Sequence, residues 1–136
     1  INQDLYESYP LRRIECIRDL LQGMKLYFNG RCVTVKLSWS LKTQLGLVSG
    51  DSEGVIDIIR SIDSAIVAVF FEEMDGGKIR VSSRSKKSEV NVGKICAEFG
   101  GGGHDLAAGA RLDGPIDEAE HLFLEVVERA LDEGGQ

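Results

Sequence analysis

The chain has 136 residues, 43% of them hydrophobic, with two prolines, which suits one compact domain with a continuous core. No apolar run approaches the roughly 18 residues needed to cross a bilayer, and Ile1-Asn2-Gln3-Asp4 lacks a charged-then-apolar targeting pattern, so a cytoplasmic protein without a membrane partner is expected. A formal charge of −6 argues against general coating of nucleic acid, and the spacing of the three cysteines and two histidines argues against a redox pair or a self-contained metal site.

Ser8-Tyr9-Pro10 has the form of a helix start, and Leu11, Ile14, Ile17, Leu20, Leu21 and Met24 recur at helical spacing, with Gly23 weakening the end. Residues 25–28 and 31–37 flank Asn29-Gly30, the preferred pair of a two-residue hairpin turn, and are predicted to pair antiparallel. Residues 40–45 suit a short helix. Asp51-Ser52-Glu53 is expected to cap another that carries Val55, Ile56, Ile58, Ile59 and Ile62. Residues 65–71 form a near-continuous apolar run, as a central strand covered on both faces requires, and Asp75-Gly76-Gly77 turns it toward a partner strand at 78–83.

Asn91 is placed to cap a helix through Val92, Ile95, Cys96 and Phe99; four glycines interrupt the chain, and residues 108–112 can supply another strand. Gly114-Pro115 opens a last helix with an acidic first turn at Asp117 and Glu118 and an apolar face running from Ile116 to Leu131. This order implies an α/β or α+β arrangement: a mixed central sheet of about five strands flanked by helices and preceded by a linker helix. Because the chain begins at isoleucine, it is expected to be a piece of a longer polypeptide. Residues 1–24 would then lead from a missing N-terminal domain, and 25–136 would form the domain proper.

The stretch Phe99-Gly100-Gly101-Gly102-Gly103-His104-Asp105-Leu106-Ala107-Ala108-Gly109 carries most of the chemical information. Four residues without Cβ let a loop approach a ligand closely, and uncovered amides followed by an imidazole suit phosphate. Polyglycine on its own reads equally as a connector, but a capped helix before it and small residues after it favour tight backbone packing. From Lys78 to Lys94 there are six cations against Glu89 alone, a local +5 that leaves −11 on the rest, so a short anionic ligand is expected rather than a long duplex. In this reading Arg84 grips a phosphate in two places, Ser83 or Ser85 adds a hydroxyl, Gly101, Gly102 and Gly103 present N–H groups, and His104 reaches the most charged oxygen. His121, among acids on the last helix, is read as a surface residue, and the five phenylalanines as core rather than base-stacking platforms.

Ser83-Arg84-Ser85, the 91–99 helix, and four glycines followed by His104-x-x-Ala107-Ala108-Gly109 together resemble the hallmark of the DHH-associated C-terminal domain of DHH-family phosphoesterases. Residues 1–7 resemble that family's linker helix, and 51–62 the Glu-Gly helix of its nanoRNase and 3′-phosphoadenosine-5′-phosphate phosphatase branch. The resemblance implies a partner N-terminal domain in the same polypeptide, whose Asp and His residues hold two manganese ions for metal-assisted hydrolysis. This chain would close over the cleft and bind short RNA or a nucleotide phosphate through Arg84, Ser85, Gly101, Gly102, Gly103 and His104, with His104 near the scissile phosphate. It has no Asp-His-His triplet, so the resemblance assigns it no catalytic or metal-binding residue, and the isolated chain is expected to bind weakly and hydrolyse nothing. Three other readings stay open: a nucleic-acid-binding and oligomerising module of the kind attached to alanyl-tRNA synthetase, a cyclic-dinucleotide phosphodiesterase fragment, and a homodimer formed through the first helix.

Overall fold

A computed structural model describes residues 10–48 and 50–134; Ser8 and Tyr9 of the expected helix start lie outside them. In chain order the elements are α1 (Leu11–Gln22), β1 (Lys25–Tyr27), β2 (Cys32–Leu37), α2 (Trp39–Leu45), α3 (Val55–Arg60), β3 (Val67–Glu73), β4 (Ile79–Ser85), α4 (Val92–Ala97), β5 (Gly102–Gly103), β6 (Ala107–Leu112) and α5 (Ile116–Gly134). The strands form one mixed sheet in the order β1-β2-β3-β4-β6-β5. Only β2 and β3 run parallel, because α2 and α3 carry the chain back between them; the other neighbours pair antiparallel. The sheet has six strands rather than about five because Gly102–Gly103 adds a short edge strand beside β6.

Two apolar clusters cover the two faces. On one, Val67, Val69, Phe71, Ile79, Val81, Ala108, Ala110 and Leu112 meet α4 and α5, where Phe123 stands edge-on to Phe71 at 5.9 Å and stacks on Phe99 at 5.4 Å. On the other, Val33, Val35, Leu37, Ala68 and Phe70 meet Cys16 and Leu20 of α1 and Val55, Ile56 and Ile59 of α3. Each fully buried aliphatic or aromatic side chain contributes about 1.5–3 kcal/mol, so these clusters supply most of the driving force for folding. The second cluster contains no residue of β4 or β6. On that face β4 and β6 carry polar or small residues instead, with α3 lying against β4.

Local rules account for most boundaries. The Asn29-Gly30 pair forms the turn, closed by the Arg31 amide on the Phe28 carbonyl at 3.3 Å with both central residues at positive φ. The ladder stops at Tyr27–Cys32, one residue short of the expected strand ends, because Phe28 is also left-handed. Ser38 caps α2 and Asn91 caps α4 through their side chains. The expected Asp51 cap does not form. Gly54 precedes α3 without a side-chain cap, and Asp51, 3% exposed, instead receives Arg12 Nε at 2.7 Å and the Val48 amide at 2.8 Å. In α1 it is Cys16 and Leu20 that are buried, while Leu11 and Ile14 at the start of the apolar stripe remain exposed.

Candidate functional site

Period-two alternation decides what β4 offers to each side. Ile79, Val81, Ser83 and Ser85 point into the core under α4 and α5, so Arg80, Ser82 and Arg84 point to the opposite face, where Arg80 is exposed and Ser82 and Arg84 are half-buried. Ser83 is fully buried; its hydroxyl donates to the Ala108 carbonyl at 3.1 Å and lies 3.4 Å from the Cys96 sulfur. Ser85, 3% exposed, donates to the Lys87 carbonyl at 2.8 Å and accepts from the Lys87 amide at 3.2 Å. Both hydroxyls are thus committed to internal bonds on the far side of the strand from Arg84. The hydroxyl that shares the face with Arg84 is Ser82, which the sequence reading passed over; alternation counted back from Arg84 finds it.

Register brings the remaining candidates together. Arg84 stands opposite Ala107, and the amide of His104 donates to the Ala107 carbonyl at 2.8 Å. Arg84, Ala107 and His104 therefore occupy one row across three strands, about 10 Å wide at the usual strand spacing. The next row holds Ser82, Gly109 and Gly102. Arg84 uses one guanidinium nitrogen on its neighbour's carbonyl, Ser83 O at 2.9 Å, and has no carboxylate partner among the described residues. The row thus presents a guanidinium free to take an anion and an exposed imidazole at its far end.

The glycines have three different reasons. A Cβ on Gly101 would run into Gly109 and would lie 2.7 Å from the Ala110 Cα; on Gly103 it would lie 2.7 Å from the Ala107 carbonyl oxygen and the Ala108 Cα. Only glycine lets the chain come this close to β6. Gly100 has φ +82°, whereas a Cβ on Gly102 would meet nothing, because that position looks out over the open face. The expected set of free amides is smaller than the motif suggests. Gly100 N–H donates to the Ala97 carbonyl at 3.1 Å and Gly101 N–H to that of Cys96 at 2.9 Å, closing the C-terminal end of α4, and the His104 amide is taken by Ala107.

The basic run from Lys78 to Lys94 does not act as one patch. Lys78 pairs with Asp113 and holds its carboxyl below the usual range, Arg80 binds Glu72 at 2.6 Å, and Lys86 donates to the Ile62 carbonyl at 2.7 Å. Burial pushes the Cys96 thiol up, opposed in part by the Ser83 hydroxyl. Cys16, Cys32 and Cys96 are all buried and free, and His121 is exposed beside Glu125. Among the described residues no three His, Cys, Asp or Glu side chains are grouped to hold a metal ion, and no helix is long and apolar enough to cross a membrane.

Residues 30–133 match the DHHA1 domain model. The bifunctional oligoribonuclease and PAP phosphatase NrnA of Thermus thermophilus is 32% identical over 133 residues, covering 97% of this chain and 39% of that protein. The A-adding tRNA nucleotidyltransferase of Aquifex aeolicus is 29% identical over 114 residues, covering 83% of this chain and 13% of that protein. Among solved structures, an exopolyphosphatase-related protein from Bacteroides fragilis superposes with a TM-score of 0.84 at 28% identity, over 93% of this chain and 37% of that one. The chain spans about two fifths of the Thermus relative it matches. Sequence, fold and the glycine-histidine row agree that the chain belongs to the DHHA1 domain family.

Proposed function

We propose that this chain is the substrate-binding domain of a manganese-dependent DHH-family phosphoesterase of the cytoplasm, acting on short oligoribonucleotides or on nucleotide phosphates such as 3′-phosphoadenosine-5′-phosphate. The observation that carries this reading is the row of Arg84, Ala107 and His104, in which the Arg84 guanidinium has no carboxylate partner among the described residues. Arg84 takes two oxygens of a phosphate through its fork, Ser82 adds a hydroxyl from the neighbouring row, and Gly102 lets the ligand lie against the backbone. His104 stands at the end of the row and serves the scissile phosphate. Gly101 and Gly103 hold β5 against β6, and Ser85 fixes the turn that follows Arg84.

In this reading the manganese ions are held by a DHH domain of the same polypeptide, as the family resemblance implies. There they supply Lewis acidity for phosphoester hydrolysis, while this chain binds and orients substrate. The name of the Thermus relative, which acts on oligoribonucleotides and PAP, supports the substrate class. A second reading, a tRNA-binding module, draws support from the nucleotidyltransferase relative.

Titration of the 136-residue chain separates the two. The phosphoesterase reading expects saturable binding of 3′-phosphoadenosine-5′-phosphate and short RNA that is weakened in Arg84→Ala, and no phosphate release with manganese present. Binding of tRNA alone, insensitive to Arg84→Ala, rejects it.

A further inference from the structure

The row beyond Ser82 and Gly109 holds two arginines that the reading above leaves unused. Arg80 pairs in register with Arg111, so their Cβ atoms stand about 5 Å apart on the same face. Like charges placed directly opposite on adjacent strands destabilise a sheet. Arg80 is offset by Glu72 on β3, whereas Arg111 is exposed and has no ion-pair partner among the described residues. Both line a concavity of about 410 Å³ whose other walls include Ser82, Phe99, Gly101 and Gly109. A bound anion would supply the counter-charge that Arg111 lacks.

Spacing says what kind of anion. Arg80 and Arg84 lie four residues apart on one extended strand, roughly 13 Å. That exceeds the separation of adjacent phosphates in a nucleotide chain and suits two phosphates with one between them. The floor between the arginine rows is Ser82, Gly109 and Gly102, with no side chain larger than a hydroxymethyl group, so a backbone can pass close over it.

Resting on the substrate-binding reading of Arg84, we propose that Arg80 and Arg111 form a second phosphate subsite. The face then prefers a short oligonucleotide with at least three phosphates over a single nucleotide bisphosphate.

The test compares a 5′-phosphorylated tetraribonucleotide with 3′-phosphoadenosine-5′-phosphate, whose two phosphates sit on one ribose, by calorimetric titration of the 136-residue chain at several salt concentrations. Arg111→Ala is expected to weaken the tetranucleotide about tenfold and to reduce its salt slope by about one, leaving the bisphosphate unchanged. Arg111→Lys restores the salt slope because it keeps the charge. If Arg84→Ala weakens both ligands but Arg111→Ala weakens neither, or both equally, the second subsite is rejected while the substrate-binding reading stands. If Arg84→Ala changes neither ligand, that reading fails and the subsite with it. A wild-type chain that binds the tetranucleotide no more tightly than the bisphosphate also overturns the subsite.

Discussion

Arg84 faces Ala107 across the β4–β6 ladder, and the amide of His104 closes on that alanine's carbonyl at 2.8 Å. One small residue thus stands in register between Arg84 and His104. Because the Arg84 side chain makes one hydrogen bond among the described residues, to the Ser83 carbonyl, its removal should cost the fold little. We expect Arg84→Ala to leave the melting temperature nearly unchanged and to weaken nucleotide binding by about 1.5–3 kcal/mol, the scale of a hydrogen bond to a charged group. Calorimetry beside thermal denaturation measures both, and unchanged affinity removes Arg84 from the site.

The tetraglycine segment predicts a contrast between neighbours. Gly101→Ala drives a Cβ into the β6 backbone, so β5 must move away from it, at a cost of about 2 kcal/mol or more. Gly102→Ala meets nothing, and its stability should stay within about 0.5 kcal/mol of the parent. Urea unfolding of the two variants reads the difference directly. If Gly102→Ala keeps stability but loses nucleotide binding, close backbone approach at the open face is the reason for that glycine.

Elements governed by local rules were legible in the chain: Asn29-Gly30 as a turn, Asn91 as a cap, and the apolar run around Val69 as a doubly covered strand. What failed to show was set by partners distant in sequence. Asp51 reads as a helix cap because of its neighbours, yet Arg12, 39 residues away, claims its carboxylate. Gly102–Gly103 has no strand propensity and becomes a strand only because β6 lies alongside. At the site, Arg84, the glycines and His104 stood out by residue type. Choosing Ser83 or Ser85 over Ser82 overlooked the alternation that the buried Ile79 and Val81 impose on β4. Arg111 was invisible because only the register with Arg80 gives it meaning.

The cysteines should be silent in the folded protein. Burial pushes the Cys16 thiol up to about 11, helped by the negative charge of Asp51, Asp19 and Glu72, and the Cys32 thiol up to about 12, helped by Glu120. At a pH near 8 a group titrating at about 11 is roughly 0.1% thiolate, and thiolate is the reactive form. Iodoacetamide labelling followed by mass spectrometry should show no modification of the native chain and triple modification in denaturant. Rapid native labelling of any of the three indicates local opening around it.

Asp51 gives the fold an acid limit. Burial pushes its carboxyl up, but the Val48 amide and the Arg12 guanidinium outweigh burial and hold it below the usual carboxylate range. A carboxyl depressed by folding contributes stability that is present in full above its unfolded value and lost as pH falls through the folded one. The unfolded chain takes up this proton near 3.8, so the loss should begin somewhat above that pH and continue below it. Asp51→Asn removes both the charge and the titration. It should be less stable near neutral pH by about 1–3 kcal/mol, with a shallower decline between about pH 5 and pH 2. Urea unfolding across that range tests the sign as well as the size, for an equally steep decline in the variant assigns the acid sensitivity to other carboxylates. Asp113 and Asp117, held low by Lys78 and Lys36 on the surface, are the first to examine in that case.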